Sequence, residues 1–258
     1  MDESLLLSLV VAAFVGGAAA FLGSLMITRR MALVGDALGH VALPGMGIAL
    51  VLGVDAGYGA FASLALGILA IWQLGEKTVL SLETLVGIVF VSSLAVGFLI
   101  VPEGDLEGTL LGDIASVSIS GAAVAVVLSA AAFAVVKRIY PGMMLLGISQ
   151  ELAAVDAIDA RRYNLIYLGA VALIVAVGVK VTGSLLVGSL VIVPPATARM
   201  LSTNMTQYAR VSAAIGISTS VVGVVVARLA GFPPGPAIIL VGAALFLLSL
   251  LSKRRGRL

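Results

Sequence analysis

TRRMALVGDALGHVALPGMGIALVLG, residues 28–53, is the stretch that decides how the chain is organised. It begins at a basic pair and continues as an apolar segment that is long enough to cross a bilayer as a helix. Asp36, His40 and Pro44 follow one another there at intervals of four residues, which places them on one face of the helix. Because proline has no N–H group, Pro44 also removes the helical hydrogen bond to the His40 carbonyl. One membrane helix is therefore predicted to offer a carboxylate, an imidazole and a free carbonyl on the same face.

The composition predicts a polytopic membrane protein. Of the 258 residues, 61% are hydrophobic and 11% are charged, whereas soluble domains carry about 25% charged residues. There is no cysteine, which excludes disulfide bonds and thiolate ligands, and there is no basic patch away from the membrane edges to bind nucleic acid. With no linker or repeat, residues 1–258 are expected to form one all-α domain embedded in lipid.

Nine apolar segments approach the roughly 20 residues that a helix needs to cross the membrane. The third and the seventh are the weakest of them, so eight crossings with one re-entrant segment are the alternative. The predicted segments are residues 4–27, 31–52, 57–74, 84–101, 116–137, 164–181, 184–198, 209–230 and 236–252.

The basic residues predict the orientation, because Lys and Arg accumulate on the cytoplasmic side of membrane proteins. With the N-terminus outside, every Lys and Arg except Lys180 and Arg228 falls on the cytoplasmic side. The opposite orientation would place nearly all of them outside. An odd number of crossings then leaves the C-terminus in the cytoplasm.

Asp36 and His40 have three interpretations. A charge at the centre of a spanning helix costs about 2.5–3.5 kcal/mol and persists where it is paired or lines a polar path. The two side chains could neutralise each other in a packed bundle, or they could relay protons. They could also form a metal pathway, since oxygen and nitrogen ligands suit zinc, manganese or iron(II). A symmetric dimer with this helix at its axis would raise the number of ligands from two to four.

The inner loop, residues 141–163, is predicted to hold a short amphipathic helix near residues 149–160 on the cytoplasmic side. Pro141 and Gly142 are expected to end the fifth spanning helix, so that the short helix is a separate element. Such a short helix either lies along the membrane surface as a connector or docks into a groove of a cytoplasmic partner.

Local sequence signals define this inner helix. Ser149 is a typical N-cap residue, and Glu151 would lie in the first turn, where a negative charge is favourable. An apolar stripe is expected along one side of the helix. Its members are Leu152, Val155 and Ile158.

The outer loop, residues 102–113, reads PEGDLEGTLLGD. Its acidic residues could form an ordinary solvated turn, or they could attract cations or dock a capture protein that carries basic residues. The candidate docking residues are Glu103, Asp105 and Glu107.

The sequence contains no recognisable ATP site. It lacks a G-x-x-x-x-G-K-[ST] phosphate loop, and the nearest approach, GEKT at residues 75–78, does not match it. If transport is driven by ATP, a second polypeptide supplies the ATPase, and this chain is a transport subunit rather than an enzyme.

The second-helix segment resembles the signature of the zinc/manganese/iron ABC-transporter permease family, in which a basic pair precedes G-D-A-L-x-H-x-x-L-P-G. Three further stretches resemble that family in order and spacing, with Pro195 where the family usually has alanine. They are LETLVGIVFVSSLAVGFLI (82–100), LEGTLLGDIASVS (106–118) and VTGSLLVGSLVIVPPATARML (181–201). The matching residues of the signature are Arg29, Arg30, Gly35, Asp36, Ala37, Leu38, His40, Leu43, Pro44 and Gly45.

The resemblance implies a subunit of a binding-protein-dependent ABC importer in the cell membrane. Its partners would be a second copy of the chain, cytoplasmic ATP-binding subunits and an extracytoplasmic metal-binding protein. Asp36 and His40 would line the path of the transported metal, no cofactor would be permanently bound, and the helix near residues 149–160 would couple to the ATPase. Two rival functions remain: a permease for siderophores or cobalamin, and a proton-coupled secondary metal carrier.

Overall fold

The computed structural model describes residues 3–101, 118–182 and 184–254. Every regular element within these ranges is an α-helix. In chain order the helices are α1 (Glu3–Thr28), α2 (Ala32–Val41), α3 (Leu43–Val51), α4 (Ala56–Lys77), α5 (Leu82–Ile100), α6 (Ile119–Ile148), α7 (Gln150–Val155), α8 (Ala160–Thr182), α9 (Ser184–Leu201), α10 (Met205–Ala230) and α11 (Pro234–Arg254).

Eight stretches of the described chain are long and apolar enough to cross a membrane. One of them, Ala32–Val51, consists of α2 and α3 together, while α9 adds a shorter apolar stretch, Val187–Leu201. A segment in lipid has to satisfy its backbone hydrogen bonds internally, which a helix does. The prediction of an all-α polytopic membrane protein with eight or nine spanning segments is therefore confirmed.

The core of the bundle is built around α1, which packs against α6, α9 and α10. Its side chains Leu22 and Leu25 are fully buried. Small residues bring α1 close to α10, since a Cβ atom at Gly16 would lie only 2.7 Å from the carbonyl oxygen of Gly216. Close packing of this kind is the main attraction between helices in lipid, where apolar burial gives no advantage.

The helices that carry the candidate site lie beside this core. α2 packs against α9 and α5, and α3 packs against α4 and α5. The contact between α3 and α4 is a close one, because a Cβ atom at Gly59 would lie 2.5 Å from the carbonyl carbon of Gly45. The outer surfaces of α4 and α5 expose large apolar residues such as Leu66, Val91 and Leu99, which suits contact with lipid or with another membrane chain.

The predicted break at Pro141 and Gly142 is wrong, because α6 continues through both residues to its end. Proline removes only one backbone hydrogen bond, and membrane helices tolerate that loss where neighbouring elements support the chain. Tyr163 of α8 packs directly on Gly142, and the next residue, Met143, is fully buried. These contacts keep the helix intact beyond the proline. α9 also has two prolines in its interior, Pro194 and Pro195.

Candidate metal pathway

The membrane segment that carries Asp36 and His40 is interrupted one residue after Val41. α2 ends at Val41, α3 begins at Leu43, and Pro44 occupies the first turn of α3. In an unbroken helix the Val41 carbonyl would accept a hydrogen bond from the N–H group four residues later. Here it accepts a 2.6 Å hydrogen bond from the hydroxyl of Ser63 on α4 instead. The interruption therefore lies immediately beside His40 and is stabilised by a neighbouring helix.

Asp36 is partly buried and faces α9. A Cβ atom at Gly188 would collide with the Asp36 Oδ1 atom and would lie 2.9 Å from its Cα atom. One turn further along α9, Val191 meets the residue next to Asp36, because a Cβ atom at Gly35 would lie 2.9 Å from Val191 Cγ1. Glycine on both helices thus lets α2 and α9 approach closely, and the backbone of α9 covers one side of the carboxylate.

His40 is also partly buried, and its ring lies against Phe90 of α5. The two ring centroids are 5.5 Å apart, with the planes inclined by 50°. The Nδ1 atom of His40 is buried and has no hydrogen-bond partner among the described residues. His40 thus has a ring nitrogen that no described residue engages.

Asp36 and His40 do not neutralise each other in this structure. Both residues are described, and no ion pair links them. Nor does any third His, Asp or Glu of the described residues join them in a group that could hold a metal ion. One chain thus presents one carboxylate and one imidazole, fewer than the four ligands of a closed tetrahedral metal site.

The inner amphipathic helix forms as α7, directly after α6. Ser149 is its N-cap, and the Ser149 hydroxyl accepts a 3.3 Å hydrogen bond from the backbone N–H of Leu152. Glu151 lies in the first turn. Ala153 is completely buried, whereas Leu152 is 54% exposed and Val155 is 83% exposed. The helix is therefore held to the bundle on one side and presents two large apolar side chains on the other.

The predicted extent of this helix, to about residue 160, is too long. α7 ends at Val155, because Ala157 adopts a left-handed backbone conformation with a φ of 53°. Ile158 consequently does not belong to the apolar stripe, and it packs partly buried against the core. The exposed apolar surface of α7 consists of Leu152 and Val155 alone.

The outer-loop residues Glu103, Asp105 and Glu107 lie outside the described residues. Sequence reasoning did not single out Phe90, Gly188 or Ser63, which contact the site from α5, α9 and α4. Gly188 and Phe90 fall inside the quoted stretches 181–201 and 82–100. Nothing in the local sequence around Ser63 indicates its role.

The fold and the site together define a multi-pass membrane transport protein with a polar pair on an interrupted helix. The chain belongs to the ABC 3 transport family, whose family model matches residues 1–253. It is therefore a permease subunit of an ABC importer in the plasma membrane, and the resemblance predicted from the second-helix signature is confirmed.

Individual relatives agree with this assignment. The chain is 30% identical to the high-affinity zinc uptake system membrane protein ZnuB of Buchnera aphidicola, over 90% of this chain and 91% of that protein. It is 25% identical to the manganese import system permease protein ScaB of Streptococcus gordonii, over 94% of this chain and 88% of that protein. Among solved structures, PsaBC from Streptococcus pneumoniae in complex with Fab matches 96% of this chain and 91% of that chain, with a TM-score of 0.83 and 25% identity.

Proposed function

We propose that this permease subunit passes a divalent transition metal, zinc, manganese or iron(II), across the membrane, with Asp36 and His40 as transient ligands. The observation that supports this most strongly is that Asp36 and His40 are not paired with each other in the structure. The Nδ1 atom of His40 has no hydrogen-bond partner, and neither an ion pair with Asp36 nor a third protein ligand occupies the site in the described chain. Carboxylate and imidazole together suit all three metals.

A partial ligand set suits transport better than storage. Conduction requires binding that is strong enough to admit the ion and weak enough to release it. Two ligands from one chain hold a metal weakly, and a second copy with α2 near a common axis would bring the number to four. Rearrangement of the two copies would then bring the four ligands together around the metal and separate them again. The metal is cargo, and no permanently bound cofactor is needed.

The energy for transport is proposed to come from separate ATP-binding subunits, because this chain has no phosphate loop. The exposed side chains of Leu152 and Val155 on α7 are the surface proposed to dock into these subunits. An extracytoplasmic metal-binding protein would deliver the ion to the outer face, where Glu103, Asp105 and Glu107 are the candidate contacts. This arrangement requires the N-terminus outside, and it leaves the C-terminus inside if α9 crosses as the ninth segment.

The deciding experiment reconstitutes the chain with its ATP-binding subunits and metal-binding protein in proteoliposomes. Uptake and ATP hydrolysis are measured with zinc, manganese and iron(II) separately. We expect at least one of these metals to stimulate hydrolysis and to enter the vesicles only when ATP is present. Uptake that continues under a proton gradient without the ATP-binding subunits would favour a secondary carrier. Uptake of the metal only as a siderophore or cobalamin complex would favour the other rival.

A further inference from the structure

The segment around α7 is packed tightly together with the adjoining ends of α6 and α8. Near the end of α6, a Cβ atom at Gly142 would lie 2.5 Å from Cε1 of Tyr163, which belongs to the start of α8. Ala153 of α7 is completely buried against the same core. A force applied to the exposed side of α7 is therefore passed to the adjoining ends of α6 and α8 together. We call the segment from Met143 to Asn164 the inner hairpin.

Arg29 connects this inner hairpin to the start of α2. Its Nη1 atom donates a 2.7 Å hydrogen bond to Oδ1 of Asn164 on α8 and lies 3.7 Å from the sulfur of Met143 on α6. Burial lowers the pKa of the Arg29 guanidinium from its ordinary value. No carboxylate of the described chain forms an ion pair with it. A cation that is partly buried without a countercharge depends on the few polar partners that it has.

The turn between Arg29 and α2 is too short to absorb a displacement. The Arg29 N–H donates to the Leu25 carbonyl at 2.9 Å, and the Met31 N–H donates to the Met26 carbonyl at 2.8 Å. α2 begins at Ala32, directly after this turn. Asp36 lies four residues beyond Ala32, or about 6 Å along a helix that rises 1.5 Å per residue. Movement of Arg29 therefore shifts the base of the helix that carries the metal ligands.

A second polar link from the inner hairpin is the ion pair between Arg161 and Glu76, which are 2.8 Å apart. It reaches the end of α4 rather than α2, and the Arg161 side chain is 72% exposed. Exposed ion pairs contribute little because water and salt screen them. Arg29 is consequently the stronger connection between the inner hairpin and the candidate metal pathway.

We propose that Arg29 is a positioning residue that transmits movement of the inner hairpin to α2, so that docking at α7 changes the placement of Asp36 and His40. The proposal rests on the function proposed above. It assigns Arg29 no contact with the metal and no part in binding the ATP-binding subunits. Its loss should therefore separate ATP hydrolysis from metal transport while both partners remain bound.

The test compares Arg29→Gln with Arg30→Gln in the complete importer in proteoliposomes. Arg30 is the neighbouring residue with the same charge, and it is exposed. The readout is the number of metal ions imported per ATP hydrolysed, together with the amount of ATP-binding subunit that copurifies. For Arg29→Gln we expect this ratio to fall by about tenfold, a typical coupling effect, with hydrolysis and copurification retained. Arg30→Gln should keep the wild-type ratio, and equal ratios in the two variants would overturn the proposal.

Asn164 provides a second route to the same contact if Arg29→Gln fails to fold. Asn164→Leu removes the hydrogen-bond acceptor and should lower the ratio as Arg29→Gln does, whereas Asn164→Asp keeps an acceptor and should retain it. A normal ratio in Asn164→Leu would contradict the proposal while leaving the transport function intact. An absence of metal uptake by the wild-type importer would instead overturn the proposed function, and this inference with it.

Discussion

The hydroxyl of Ser63 on α4 donates a 2.6 Å hydrogen bond to the carbonyl of Val41, the residue that follows His40. This carbonyl would bond within the helix if α2 and α3 were continuous, and Pro44 stands at the start of the segment that follows the interruption. A polar backbone group left unpaired in lipid is costly. The interrupted helix and its partner α4 therefore form one structural unit, and the position of His40 depends on a residue far away in the sequence.

Ser63→Ala should weaken this unit and lower metal uptake. The Val41 carbonyl would lose its partner, at a cost to stability of about 1 kcal/mol for an interhelical hydrogen bond in a membrane. The measurement is the thermal unfolding of the purified chain together with uptake by the reconstituted importer. Ser92→Ala is the matched control, because Ser92 is exposed on α5 and should tolerate the same change. An equal effect of both substitutions would show that the Ser63 contact is unimportant.

Gly188→Ala should impair transport by displacing the Asp36 carboxylate. The added Cβ atom would collide with Oδ1 and lie 2.8 Å from the Asp36 Cβ atom, so either the carboxylate or α9 has to move. Gly87→Ala is the control, since a Cβ atom at Gly87 meets no atom of a neighbouring helix within 4 Å in the described structure. Alanine favours a helix over glycine by about 1 kcal/mol, so the control should be at least as stable as the wild type. Full uptake by Gly188→Ala would mean that Asp36 tolerates displacement or plays no part.

His40→Ala should abolish metal uptake while the subunit still assembles. The substitution removes the imidazole but breaks no hydrogen bond of Nδ1 within the described chain. Substitution of a residue that only supports a metal ligand typically lowers metal affinity or activity by about 10–100-fold. Loss of the ligand itself should therefore lower uptake by at least about tenfold. Uptake is measured in cells, and assembly is measured by copurification of the ATP-binding subunit. Wild-type rates in His40→Ala would exclude the ligand role.

The control for His40→Ala is Glu83→Gln, which removes a charge from an exposed position in the first turn of α5. We expect normal uptake from this variant. Asp36→Asn should behave like His40→Ala, because it removes the other ligand charge and keeps the shape of the side chain.

Substitution of the exposed apolar residues of α7 should uncouple ATP hydrolysis from transport. Leu152→Ser and Val155→Ser remove side chains whose burial in a partner groove would contribute about 1.5–3 kcal/mol each. The ratio of ATP hydrolysed to metal imported should therefore rise in both variants. Leu229→Ser is the control, because Leu229 is 84% exposed near the end of a different helix, α10. If α7 variants left both rates unchanged, the docking surface would have to lie elsewhere.

The orientation can be tested directly because the chain contains no cysteine. Val54→Cys lies in the connection between α3 and α4, and Val79→Cys lies between α4 and α5; both positions are exposed. With the N-terminus outside, a membrane-impermeant maleimide added to intact cells should label the first variant. The second should react only after the membrane is permeabilised. The reverse pattern would place the N-terminus in the cytoplasm.

Much of the fold follows from local features of the sequence. A long apolar run becomes a helix in lipid because only then are its backbone groups paired, so the spanning segments could be predicted from composition and length alone. The four-residue spacing is by itself enough to place Asp36 and His40 on one helical face. Ser149 is an N-cap in the structure as the sequence predicted, because capping involves only the next few residues.

The tertiary structure decided what local rules cannot. Pro141 would end an isolated helix, yet packing by Tyr163 carries α6 past it. The contacts that shape the site, Ser63 with Val41, Gly188 with Asp36 and Phe90 with His40, join residues that are distant in the chain. Each depends on which helices lie side by side, and no spacing within a single segment encodes that. The sequence by itself thus singled out the candidate ligands, and the packing of the helices decided how their side chains are held.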